Sequence, residues 1–284
     1  MTRVLDTLLS DEPPLEAEIE LMSTTTTKRD DVPPLRTVQL PPAQARDVWG
    51  DLLLGGVPLA AVSGATCRIL ALPTSYLFET VALYVVMVSL IVLNYPGLSR
   101  GPGIGVANRV TLWRATIVLP VTTLLLRPEA LRQGAQWWII ALATAALTLD
   151  GVDGRIARRT GTSSAFGARF DMEVDALLLV TLAALLWQSG KVPVWVLAIG
   201  GLRYAFVAAG RIWPVLAAEL RPSQRRRGVC VVQGVALLIA LVPIVSAHLA
   251  TLLTGAALIL LTWSFAIDVV WLLTHAGHQR AGAA

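Results

Sequence analysis

Between Asp150 and Asp175 the chain carries four aspartates at fixed spacing: Asp150-x2-Asp153-Gly154-x2-Ala157-Arg158-x8-Gly167-x3-Asp171-x3-Asp175. At 3.6 residues per turn, Asp150, Asp153, Gly154 and Ala157 share one helix face, and Gly167, Asp171 and Asp175 share another. A turn near Arg159–Ser164 would fold the two helices together and gather the four carboxylates. Like charges that close stay ionised only when a cation neutralises them. An all-oxygen ligand set suits Mg²⁺, Mn²⁺ or Ca²⁺ better than zinc. The spacing excludes an EF-hand loop, because the Asp-x-Asp-x-Asp-Gly run and its closing Glu are missing. Gly154, Ala157 and Gly167 leave room for a ligand against the backbone, and Arg158 adds a cation suited to phosphate. Solvated loop charge is the plainer alternative. Eight specified residues on two matched faces argue against it.

These helices must be positioned in a membrane. The 284 residues are 55% hydrophobic and 15% charged, against about 25% charged in soluble domains. Mean hydropathy is +0.65, and several apolar runs approach the roughly 20 residues that span a bilayer. The expected fold is an all-α polytopic membrane protein. A formal charge of +4 fits the cytoplasmic excess of Lys and Arg better than nucleic-acid binding. Cys67 and Cys230 lack CxxC spacing, so neither a disulfide framework nor a zinc site is expected. The acidic, Pro-rich N-terminus does not read as a cleavable signal peptide.

Residues 1–50 read as a disordered cytoplasmic tail. Residues 51–100 read as an N-terminal hydrophobic hairpin, Leu52–Leu72 and Tyr76–Tyr95, with Glu79 near the start of its second arm; a single span over Tyr76–Tyr95 is the alternative. A breaker cluster, Gly101-Pro-Gly-Ile-Gly105, separates it from a six-helix core over 104–275. The core segments are 109–126, 136–153, 168–188, 192–213, 228–247 and 250–274; a short tail, 276–284, follows. Arg155, Arg158, Arg159 and Arg169 in one loop, and Arg211, Arg221 and Arg225–Arg227 in another, place both loops and the acids on the cytoplasmic side. Trp137, Trp138, Trp187, Trp195, Trp213 and Trp271 lie near segment ends, as aromatic belts do.

The acid pattern resembles the signature of the CDP-alcohol phosphatidyltransferase family, with every signature position filled. The resemblance covers about 104–275 and not the first hundred residues. Asn108-x2-Thr111-x2-Arg114 is similar to the family's motif at the start of its first core helix; a basic, capped membrane-entry helix is the plainer reading of that stretch. The resemblance implies transfer of a phosphatidyl group from a CDP-linked lipid, CDP-diacylglycerol, to a polar alcohol, with release of CMP. It implies two divalent ions, usually Mg²⁺ with Mn²⁺ as the alternative, held by Asp150, Asp153, Asp171 and Asp175. It makes Asp175 the general base as well. It places Gly154, Ala157 and Arg158, with Asn108 and Thr111, at the CDP site. A homodimer in a bacterial plasma membrane, active on its cytoplasmic face, completes the expectation.

The acceptor is read from arginines. Arg203 lies inside a span, where a charge is costly unless paired, and Asp268 is the expected partner. Arg225 and Arg227 begin the next helix, where positive-inside anchoring competes with phosphate binding. Gln233, less than two turns on, adds a hydrogen-bonding group. A phosphate pocket there favours glycerol 3-phosphate, as in phosphatidylglycerophosphate synthases. Inositol phosphate, inositol and serine are the alternatives. Glu173 falls off the metal face and receives no metal role, and His275 and His278 read as solvated. A cation-coupled transporter is the competing class. The acids sit at one membrane edge and no broken-helix pair is evident, which disfavours it.

Overall fold

A computed structural model describes residues 48–94, 106–132, 134–160, 165–213, 215 and 223–281; at 48, 94, 106–107, 132, 152–160, 165 and 275–281 it describes the backbone alone. The expected disordered tail, the 101–105 breaker and most of the turn before Ala165 lie outside the described residues. Nine α-helices occur among those described: α1 Val48–Ile69, α2 Ser75–Asn94, α3 Val106–Thr123, the short α4 Pro128–Arg132, α5 Gln136–Thr160, α6 Ala165–Gln188, α7 Leu197–Ile212, α8 Gln224–Leu241 and α9 Ala247–Ala281. No strand occurs among them. The helices of the expected core are all present. The first of the hairpin starts at Val48, inside the stretch read as tail. Helix α5 runs seven residues past the predicted 153, to Thr160.

Five helices, α1, α2, α3, α7 and α9, are long and apolar enough to cross a membrane. The protein is thus an all-α polytopic membrane protein, and α5 and α6 carry the acids of the site. Helix α3 is the hub. It packs against α1, α2, α5 and α6, and 61% of its apolar window is buried, against 28% or less in the other four. Leu112, Ala115, Val118, Leu119 and Val121 fill that contact.

Apolar packing gives little preference for one partner over lipid, so polar ties between helices matter more here. The Tyr76 hydroxyl donates to the Pro120 carbonyl at 2.9 Å, joining α2 to α3. Thr122 and Thr181 join α3 to α6 at 3.0 Å. Trp138 Nε1 donates to Thr66 at 2.9 Å, joining α5 to α1. Arg127 pairs with Glu79, which compensates the acid noted in the second hairpin arm. Asp51, fully buried on α1, pairs with Arg109 of α3 at 2.9 Å. At Gly200 on α7, a Cβ would lie 2.4 Å from Val180 Cγ2 and 2.6 Å from Val180 Cα. Only glycine permits that approach, and it draws α7 onto α6.

Candidate active site

The sequence reading brings the acids together by folding α5 directly against α6. The structure uses α3, which packs against both, and places an arginine at the junction. Arg114 is 1% exposed. Its Nη1 meets Asp150 Oδ1 of α5 at 2.5 Å. Its Nη2 meets Asp171 Oδ1 at 2.7 Å and Asp175 Oδ1 at 3.2 Å on α6. The same Nη2 donates to the Asp171 carbonyl at 3.2 Å. A buried guanidinium is costly unless its charge and donors are met, and here three carboxylates converge on it.

The three carboxylates each offer an oxygen, all within 4.8 Å of one another. Their side chains are 32%, 37% and 24% exposed, so one side of the cluster faces solvent while Arg114 closes the other. Hard oxygen donors at this separation, open on one side, fit a divalent cation such as Mg²⁺ or Mn²⁺. Asp153, Gly154, Ala157 and Arg158 lie in the last three turns of α5, and their side chains fall outside those described. Asn108 and Thr111 are buried on α3, at i and i+3 of the series that ends in Arg114.

The arginines pair differently from expectation. Arg203 does not pair with Asp268; its Nη2 meets Glu173 Oε1 at 2.6 Å. The reason is the Gly200–Val180 approach, which sets α7 beside the Glu173 end of α6. Asp268 on α9 pairs with Arg225 and, at 3.7 Å, with Arg226. Arg225 also donates to the Ser264 hydroxyl at 2.7 Å and to its carbonyl at 2.5 Å. Arg225 is therefore engaged in tying α8 to α9. Gln233 is buried and donates to the Ala257 carbonyl at 2.8 Å, so its amide nitrogen is directed into the same helix pair. Arg227 is exposed.

In the sequence Arg114 stands only as the last position of the Asn108-x2-Thr111-x2-Arg114 motif, and nothing else marks it as the centre of the site. The signal was the Asn108, Thr111, Arg114 spacing itself, which puts three polar groups on one side of an otherwise apolar helix. Asp51 and Glu173 gave no comparable pattern, since each partner lies on another helix.

The cluster can hold a cation, and its solvent side is open to a ligand. The model of the CDP-alcohol phosphatidyltransferase family matches residues 104–271, which begins just before Asn108 and ends within α9. No solved structure matches the chain. The matched segment contains α3 with Arg114 and both acid-bearing helices, and it covers more than half of the sequence. The chain belongs to the CDP-alcohol phosphatidyltransferase family, phosphotransferases that pass a phosphatidyl group from a CDP-alcohol to an alcohol.

Proposed function

We propose that the protein transfers the phosphatidyl group of CDP-diacylglycerol to glycerol 3-phosphate on the cytoplasmic side of the membrane. The observation that carries the chemistry is the cluster of Asp150, Asp171 and Asp175 around buried Arg114. The acceptor hydroxyl attacks the lipid-bearing phosphorus of the donor. A new P–O bond forms, the bond to the bridging diphosphate oxygen breaks, and CMP leaves with that oxygen. The proton of the hydroxyl passes to the Asp175 carboxylate, which acts as general base. Arg114 holds the acids in one geometry before substrate arrives, so little reorganisation is left for the reaction. Asn108, Thr111, Gly154, Ala157 and Arg158 receive the CDP portion.

Asp150, Asp171 and Asp175, joined by Asp153, would hold a pair of Mg²⁺ ions, which when bound neutralise the diphosphate and the departing CMP phosphate. What favours a phosphorylated acceptor is Arg203. It is bonded to Glu173 on the acid-bearing helix α6, whereas Arg225 is engaged with α9. Arg227, exposed at the start of α8, contributes a second positive charge. Inositol phosphate shares the same recognition chemistry; inositol carries no anionic group, and serine offers only a singly charged carboxylate.

The test is CMP release from CDP-diacylglycerol with Mg²⁺ across glycerol 3-phosphate, inositol phosphate, inositol and serine. Release with glycerol 3-phosphate is expected. Release with serine or inositol alone would overturn the acceptor assignment, and release with none would overturn the transferase reading. Arg227→Ala should weaken use of glycerol 3-phosphate; an equal loss with an unphosphorylated acceptor would remove Arg227 from a phosphate pocket.

A further inference from the structure

We infer that Glu173 is an internal competitor for the acceptor's phosphate: its carboxylate occupies the Arg203 guanidinium in the substrate-free protein and gives way to phosphate on binding. This rests on the phosphorylated-acceptor reading above.

Three observations carry it. Glu173 sits between Asp171 and Asp175 but about 160–200° around α6 from them, so it takes no part in the acid cluster. Its side chain is 56% exposed while bonded to Arg203 Nη2 at 2.6 Å. An ion pair so exposed is weak and readily exchanged. Arg203 Nε, in contrast, is buried and donates to no acceptor, although a buried donor left unmade is costly. A guanidinium has five donors in a planar fork that matches phosphate. Arg203 thus holds one monodentate carboxylate and has further donors to offer.

Arg114 Nε likewise meets no acceptor, so what sets Arg203 apart is the exposure of its single carboxylate partner. Arg114 is spent on three carboxylates, and Arg225 on Asp268 and Ser264. Through Glu173, two residues before Asp175, Arg203 reaches the helix that carries the proposed base. The carboxylate that must leave raises the concentration of acceptor needed. It also disfavours neutral alcohols, which cannot replace it at the guanidinium.

The experiment uses the full chain in lipid nanodiscs with CDP-diacylglycerol and Mg²⁺, measuring CMP release against glycerol 3-phosphate. Glu173→Gln should lower the KM for glycerol 3-phosphate about two- to fivefold, the range set by an exposed ion pair, with the KM for the CDP-lipid unchanged. Arg203→Ala should raise the acceptor KM, and adding Glu173→Gln to it should then bring no further change. An acceptor KM that rises or stays fixed in Glu173→Gln would make Glu173 a strut between α6 and α7 and overturn the inference. If Arg203→Ala still raises the acceptor KM in that case, the phosphate pocket survives without its competitor. Wild-type protein that accepts only serine or inositol would remove the pocket and the competition together.

Discussion

Replacing Arg114 by Met removes the cation around which the site is built while keeping much of the side chain's bulk. Three carboxylate oxygens would then lie within 4.8 Å of one another with no internal counter-charge. At an effective dielectric of about 20, two full charges at that separation repel by roughly 3.5 kcal/mol. Removing one partner of a buried ion pair costs about 3–5 kcal/mol. Partial exposure of the acids, 24–37%, argues for the lower end, about 3 kcal/mol. In EDTA the variant should melt on the order of 6 °C or more below wild type. A divalent cation that binds the native cluster stabilises it by mass action, so Mg²⁺ should recover more stability in Arg114→Met than in wild type. Arg114→Lys should fall between the two, because a single ammonium cannot reach three carboxylates as a guanidinium fork does. Thermal unfolding in nanodiscs, with EDTA or with a Mg²⁺ series, reads all three proteins. A variant as stable as wild type in EDTA, or one that Mg²⁺ helps no more than wild type, would refute Arg114 as the internal counter-cation.

Other substitutions probe the rest of the frame. Asp175→Asn should abolish CMP release while leaving binding of the CDP-lipid largely intact, and retained turnover would remove Asp175 as the base. The pair of Asp51 and Arg109 should respond asymmetrically: Arg109→Met, which strands a buried carboxylate, should cost about 3 kcal/mol, and Asp51→Asn about 1 kcal/mol, both read from denaturation in detergent. Gly200→Ala forces a Cβ into Val180 and should destabilise by about 1–3 kcal/mol. It should also raise the acceptor KM by moving Arg203 away from α6, so a normal KM with normal stability would contradict the close crossing.

Much of this arrangement was legible in the residues. The aspartates repeat at helical spacing, so their faces could be drawn before any fold was known. The apolar runs located the core helices to within a few residues at most ends. Which charge meets which did not follow, because pairing depends on the register between helices far apart in sequence. Arg203 and Asp268 looked matched by depth alone. The contact of Gly200 with Val180 instead sets α7 against the Glu173 end of α6, and Arg225 reaches Asp268 from the first turn of α8. Likewise the Asp150 and Asp171 faces predicted a site between two helices. Nothing in either face showed that a third, α3, would enter with Arg114 and hold the acids from behind.

The ion pairs also set an order on how the chain enters the bilayer during synthesis. Arg114 is made 36 residues before Asp150 and 57 before Asp171, and Glu79 is made 48 before Arg127. At about 5–20 residues per second, each early charge waits roughly 2–11 s for its partner. An unpaired charge at the centre of a membrane helix costs about 2.5–3.5 kcal/mol on insertion scales. Glu79 is thus met once Arg127 follows, and Arg114 only once α5 and α6 have emerged. A nascent chain stopped before Ala165 holds Arg114 with Asp150 alone, so α6 is the segment whose arrival closes the site.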